Sequence, residues 1–148
     1  MKKLIILGLI VLSGCTTLSN DYSFVTEGSE TSELLVYRES AFQAGAASLY
    51  VGEGDQYFMK LRNDQYSVVE IDSGNHVLQA KADASPASIL EVDLVPGKTT
   101  CIASKPNREM LGAAIIPIIA NMVPTFLLEK TECPTPEILA EMNNVSGS

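Results

Sequence analysis

The chain has 148 residues, and its 18 Asp and Glu against 10 Lys and Arg give a formal charge of −8 at pH 7. Such an acidic chain lacks the basic face that phosphate recognition requires, so no nucleic-acid partner is expected. With 46% hydrophobic residues, the chain can bury one core within one domain, which excludes a wholly disordered polypeptide.

Met1, Lys2 and Lys3 precede an uncharged apolar run from Leu4 to Leu12, followed by Ser13, Gly14 and Cys15. A positive start, a short apolar stretch and small residues before a cut site are the parts of an export signal. As a helix the apolar run would reach about 14 Å against roughly 30 Å of hydrocarbon, too short to span a membrane. Leu12-Ser13-Gly14-Cys15 resembles the bacterial lipobox, in which the cysteine becomes the lipidated first residue of the mature protein. Residues 1–14 are therefore expected to be removed and Cys15 to carry the lipid. Each buried methylene adds about 0.8 kcal/mol, and two acyl chains already give stable anchoring. Thr16 follows the cysteine where Asp would mark inner-membrane retention, so the resemblance implies the outer membrane, with the domain facing the periplasm. Loss of Lys2 and Lys3 leaves eight basic residues against 18 acidic ones. Anionic headgroups then offer no attraction, and the lipid itself must hold the chain to the membrane.

Residues 15–32 are mostly small and polar without a sustained period, and are expected to form the lipidated N-terminus and a flexible tether. From Glu33 the pattern changes to short apolar or alternating runs. Glu33 to Arg38, Ser48 to Val51, Gln56 to Leu61, Tyr66 to Ile71, His76 to Ala80, Ile89 to Leu94 and Thr99 to Ala103 are predicted strands. Gly, Pro, Asn and Asp clusters break them at intervals of about 10 residues, which predicts a mainly β, antiparallel sandwich over residues 33–133. Two of the breaks, Asp72-Ser73-Gly74-Asn75 and Val95-Pro96-Gly97-Lys98, echo one another and are predicted to be hairpin turns. Neither precedes a helix that could hold an anion, so neither is a phosphate loop.

The run Leu35-Val36-Tyr37-Arg38-Glu39-Ser40-Ala41-Phe42, the strand Tyr66 to Ile71, the turn Ser73 to His76, and Leu94-Val95-Pro96-Gly97-Lys98-Thr99 resemble a family of bacterial lipoproteins, the domain-of-unknown-function 2846 group. The resemblance covers roughly residues 33–132. It implies a compact β-sandwich beneath a lipid anchor and supplies no catalytic residues.

Met110 to Leu128 contains no charged residue. Pro117 and Pro124 oppose a membrane-spanning helix, since an interior proline costs about 3 kcal/mol. Two other readings stay open: Thr125 to Thr131 forms a last strand on Thr99 to Ala103 while Leu111 to Val123 covers the core, or residues 112–123 are exposed. In the second reading Ile115, Ile116, Ile118 and Ile119 form a patch that meets lipid, an envelope protein or a second copy. With Cys15 given to lipid, Cys101 and Cys133 are an even pair in an oxidising compartment and are expected to form a disulfide. Thr135, Pro136 and Glu137 suit the start of a short helix, within a last segment, 134–148, whose end from Asn143 is expected to be frayed.

Chemistry is sparse. The lone histidine, His76, stands beside a turn glycine and is expected to be a half-exposed strand residue. There is no nucleophile elbow, phosphate loop or metal-ligand spacing, so no cofactor and no metal is expected. Glu70 with Asp72, or Asp83 with Glu91, form possible carboxylate pairs, but with 18 acidic residues in one small chain a solvated surface explains them. The sequence is read as a non-enzymatic, lipid-anchored envelope module for interaction or structure. The alternative, a periplasmic hydrolase or carbohydrate-binding accessory, calls for a polar cleft lined by aromatics; with no Trp in the chain, sugar stacking is disfavoured.

Overall fold

A computed structural model describes residues 24–83, 85–110 and 122–147. The strands are β1 (Thr31–Arg38), β2 (Leu49–Glu53), β3 (Gln56–Leu61), β4 (Gln65–Asp72), β5 (Gly74–Lys81), β6 (Ser88–Leu94), β7 (Thr99–Pro106), β8 (Phe126–Thr131) and β9 (Asn143–Asn144), with one short helix, α1 (Pro136–Glu141), between the last two. They form a five-stranded sheet, β8-β7-β1-β4-β9, packed on a four-stranded sheet, β3-β2-β5-β6. The protein is a mainly β sandwich with a short C-terminal helix, as the strand spacing predicts.

Alternation in the strands decides which side chains meet between the sheets. Leu34, Val36, Leu49, Val51, Leu61, Ile71, Leu78, Leu94, Ile102 and Phe126 are buried in that central layer. The unbroken apolar run Leu34 to Tyr37 has a second cause. Its odd members, Leu35 and Tyr37, join Cys101 and Ala103 on the outer face of the five-stranded sheet, where Leu139 and Met142 cover them. A strand buried on both faces loses its polar alternation.

Two departures concern pairing. The five-stranded sheet is mixed: β1 pairs β7 in parallel from Glu33↔Thr99 to Tyr37↔Ala103, and β4 pairs β9 in parallel through Gln65↔Asn143. Tight turns impose antiparallel pairing only on strands adjacent in sequence, and β1 and β7 are separated by an entire second sheet. The Asp72–Asn75 and Val95–Lys98 turns are also not hairpins. At each the chain leaves one sheet for the other, β4 to β5 and β6 to β7. Their glycines do take positive φ, 117° at Gly74 and 65° at Gly97. A single residue, Ser73, separates β4 from β5, too few for a two-residue hairpin loop, so the strands turn a corner instead.

Gly52 answers to a different constraint. The β2–β3 register shifts between Val51 and Gly52, and a Cβ at Gly52 would lie 2.0 Å from the Gln56 carbonyl oxygen and 2.7 Å from Tyr57 Cα. Backbone occupies the space, so the bulge admits no side chain there.

The chain ends are more ordered than their composition predicts. Asn143 and Asn144 pair with β4, the Val145 amide donates to the Tyr66 carbonyl at 2.9 Å, and Ser146 Oγ accepts from the Val68 amide at 2.8 Å. The described part of the expected frayed tail is thus an edge strand. At the other end, residues 24–32 of the expected tether are folded onto the domain, as the next section details. Thr135 occupies the N-cap position of α1 with Pro136 in the first turn, but its hydroxyl makes no capping bond to the backbone.

Candidate functional site

The predicted site residues fall into two groups. Cys15 and the isoleucines Ile115, Ile116, Ile118 and Ile119 lie outside the described residues. Cys101 and Cys133 are described: their sulfurs are 1.97 Å apart, a disulfide distance, with Cα atoms 5.0 Å apart. The bond ties β7 to the segment that leads into α1, so it holds the helix against the outer layer of Leu35, Tyr37 and Ala103.

The register of β1 separates two ends of the sandwich. Its start, Thr31, lies opposite Asp72, and its close, Arg38, lies opposite Gln65. At the starting end the N-terminal segment is latched. The Phe24 ring packs on Phe58 with centroids 4.4 Å apart, and the Phe24 carbonyl accepts from the Asp72 amide at 2.7 Å. The Asp72 carboxylate accepts the Thr26 amide at 2.8 Å, the Thr26 hydroxyl at 2.6 Å and the Ser29 hydroxyl. Glu30 completes the latch, its carbonyl accepting both the amide and the hydroxyl of Ser73. Small polar residues read as linker because their hydroxyls have no partner visible in sequence; here one carboxylate supplies it.

These bonds favour ionised Asp72, so the Ser29 hydroxyl first, then the Thr26 hydroxyl and amide, hold its pKa below the ordinary carboxylate value. A depressed folded pKa gives stability that is present above the unfolded value, about 3.9, and is lost as pH falls through the folded one. The latch is therefore expected to be unchanged from neutrality to about pH 5 and to loosen only in stronger acid. Asp72→Ala should speed hydrogen exchange at the Thr26 amide and open residues 24–30 to protease at neutral pH. Unchanged protection would show that the carboxylate does not hold the segment.

His76 belongs to this end as well. Nε2 faces the Asp72 carbonyl at 2.8 Å and Nδ1 faces Glu53 Oε2 at 2.9 Å, while Glu53 Oε1 accepts the Val77 amide. Both ring nitrogens are engaged by acceptors within the fold. A general base needs a ring lone pair aimed at substrate, and this arrangement leaves none free. Of the possible carboxylate pairs, Glu70 and Asp72 are likewise engaged in the fold: Glu70 accepts the Thr31 hydroxyl at 2.7 Å, and Asp72 serves the latch. Among the described residues no group of three or more His, Cys, Asp or Glu could hold a metal ion, and no helix is long and apolar enough to cross a membrane.

The opposite end is built around Arg38, whose importance the sequence does not signal. It ends β1 as a charged residue would at a strand terminus, yet it is 1% exposed. Nη1 donates to the Ala47 carbonyl at 2.7 Å and to the Leu61 carbonyl at 3.4 Å, and Nη2 donates to the Ala44 carbonyl at 2.6 Å. The guanidinium carbon lies 4.4 Å from the centre of the Phe126 ring. Among the described residues no carboxylate stands within ion-pair distance, and Nε has no hydrogen-bond partner. Burial lowers the Arg38 pKa, but an arginine remains a cation throughout the physiological range.

Carbonyl dipoles from the 39–48 loop therefore replace a counter-ion, and in exchange the cation fixes the loop. Ala44 adopts a positive φ of 58°, unusual for alanine, with its carbonyl turned onto Nη2. Asn63 adds a second clamp, accepting the Ala41 amide at 3.0 Å and donating to Ser40 Oγ at 3.3 Å. The result is a rigid loop with a fully exposed Phe42. Phe42, Gln43, Lys105, Arg108 and Leu127 line an open groove of about 880 Å³ at this end. Glu129 crosses its rim to Lys105, whose pKa is raised first by that hydrogen bond and then by the carboxylate charge. Met110 and Met122, the residues that bound the undescribed part of the apolar segment, follow β7 and precede β8 at this same end.

Comparison with known protein families, with curated proteins and with solved structures finds no match for this chain.

Proposed function

We propose that this chain is a non-enzymatic lipoprotein of the cell envelope, anchored through acylated Cys15 in the outer membrane and exposed to the periplasm, where it acts as an interaction or structural module. The observation that carries the reading is the order Lys2-Lys3, an apolar run, then Leu12-Ser13-Gly14-Cys15 at the start of the chain. Support also comes from His76, whose two ring nitrogens face acceptors within the fold, and from Asp72, whose carboxylate serves the latch. In the accessory reading a row of aromatics would line the groove; Phe42 is the one aromatic among the described residues lining it.

The partner side of this proposal rests on Ile115, Ile116, Ile118 and Ile119, read as contacts to an envelope protein or a second copy. Anchoring is tested in the native host by mass spectrometry and fractionation. The mature chain should begin at Cys15 with a diacylglyceryl mass, and Cys15→Ser should leave the membrane fraction. A serine variant that stays equally membrane-bound, or a mature protein that keeps its first 14 residues, would overturn the reading.

A further inference from the structure

We infer that the anchored domain stands with its latched end toward its own bilayer and presents the Arg38–Phe42 end away from it. The inference rests on the lipid anchor proposed above and adds an orientation. The described chain begins at Phe24, packed at the end where Thr31 meets Asp72. Only nine residue steps separate Phe24 from Cys15, which reach at most about 32 Å fully extended. β1 has eight residues, so its far end lies roughly 25 Å beyond the latch at 3.3 Å per residue. For Phe42 to touch the same bilayer, the tether would have to run back along the domain at nearly its full length. Any shorter span leaves the latched end nearer the headgroups than Phe42.

Charge does not reverse this. The near end carries Glu27, Glu30, Glu53, Asp55 and Asp72 against Lys98, so an anionic surface repels it. Beyond about 16 Å, roughly two Debye lengths at physiological salt, that repulsion is largely screened. It keeps the domain off the headgroups without turning it over. Phe42, Leu127 and the groove then face the periplasmic space.

The test uses the full acylated chain in vesicles of phosphatidylethanolamine and phosphatidylglycerol doped with a nitroxide-headgroup lipid. Cys15 is blocked by lipid and Cys101 is paired with Cys133, so one added cysteine takes a fluorophore. Lys98→Cys and Asn75→Cys, each at the near end, should be quenched several-fold more than Arg62→Cys at the far end. A Gly/Ser insertion after Ser19 that doubles the tether should erase most of that contrast. Equal or reversed quenching in the unlengthened chain, with acylation verified by mass, would overturn the orientation and leave the anchor standing. A chain that proves unacylated would overturn both. Two near-end positions keep the result decisive if one substitution disturbs a turn.

Discussion

Replacing Arg38 with alanine is expected to destabilise the domain by about 3–5 kcal/mol, from two short charge-assisted hydrogen bonds at roughly 1.5–3 kcal/mol each and the cavity left beneath Phe126, partly offset by removal of a buried charge. That is a large share of the 5–15 kcal/mol typical of a domain. Arg38→Met separates the contributions. It fills most of the volume and removes the unpaired cation, so it should be less damaging than alanine by about 1–2 kcal/mol. Yet neither variant can hold the carbonyls of Ala44 and Ala47, so in both the 39–48 loop should lose hydrogen-exchange protection. Arg38→Lys keeps the charge but not the fork that reaches two carbonyls in different directions, and should also loosen the loop. Denaturant unfolding with exchange on the same samples decides the matter. An alanine variant within about 1 kcal/mol of the parent would show that the carbonyl cage contributes little.

Breaking the Cys101–Cys133 bond is expected to lower stability by about 3–4 kcal/mol, because its 32-residue separation closes a loop whose freedom the unfolded chain otherwise recovers. The effect should have a local component as well. Leu139 and Met142 pack over Leu35, Tyr37 and Cys101, and Asn143 and Asn144 pair with β4 directly afterwards. Without the bond, α1 and β9 should exchange faster than the sandwich core. Melting the protein with and without reductant, with thiol content read by mass spectrometry, measures the first part, and exchange at the Val145 amide measures the second. Full reduction without a shift in the unfolding midpoint would sink the prediction. Loss of the midpoint with α1 and β9 still protected would sink only its local half.

The seven predicted strands from Glu33 to Ala103 correspond to β1 to β7, and Thr125 to Thr131, a strand in one of the two open readings, to β8 on β7. They were legible because period-two alternation and turn residues are local properties, set within a few residues of each other. The residue order on which the proposed anchor rests is local in the same sense. The latch at Asp72 and the Ser146 hydroxyl bond were not legible, because Thr, Ser and Asn look alike in a linker and in a docked segment until a distant partner arrives.

What the sequence determined by itself, then, is roughly where β1 to β7 lie and that the domain is a mainly β sandwich. The tertiary structure alone decided which strands share a sheet, that β1 and β7 run parallel, and that β4 and β5 meet at a corner rather than in a hairpin. It also decided the fate of Arg38, since a guanidinium is buried only where backbone carbonyls remote in sequence converge on it. Alternation fixes a strand's faces, but its neighbour and direction depend on how two sheets close over one core, and no window of a few residues contains that information.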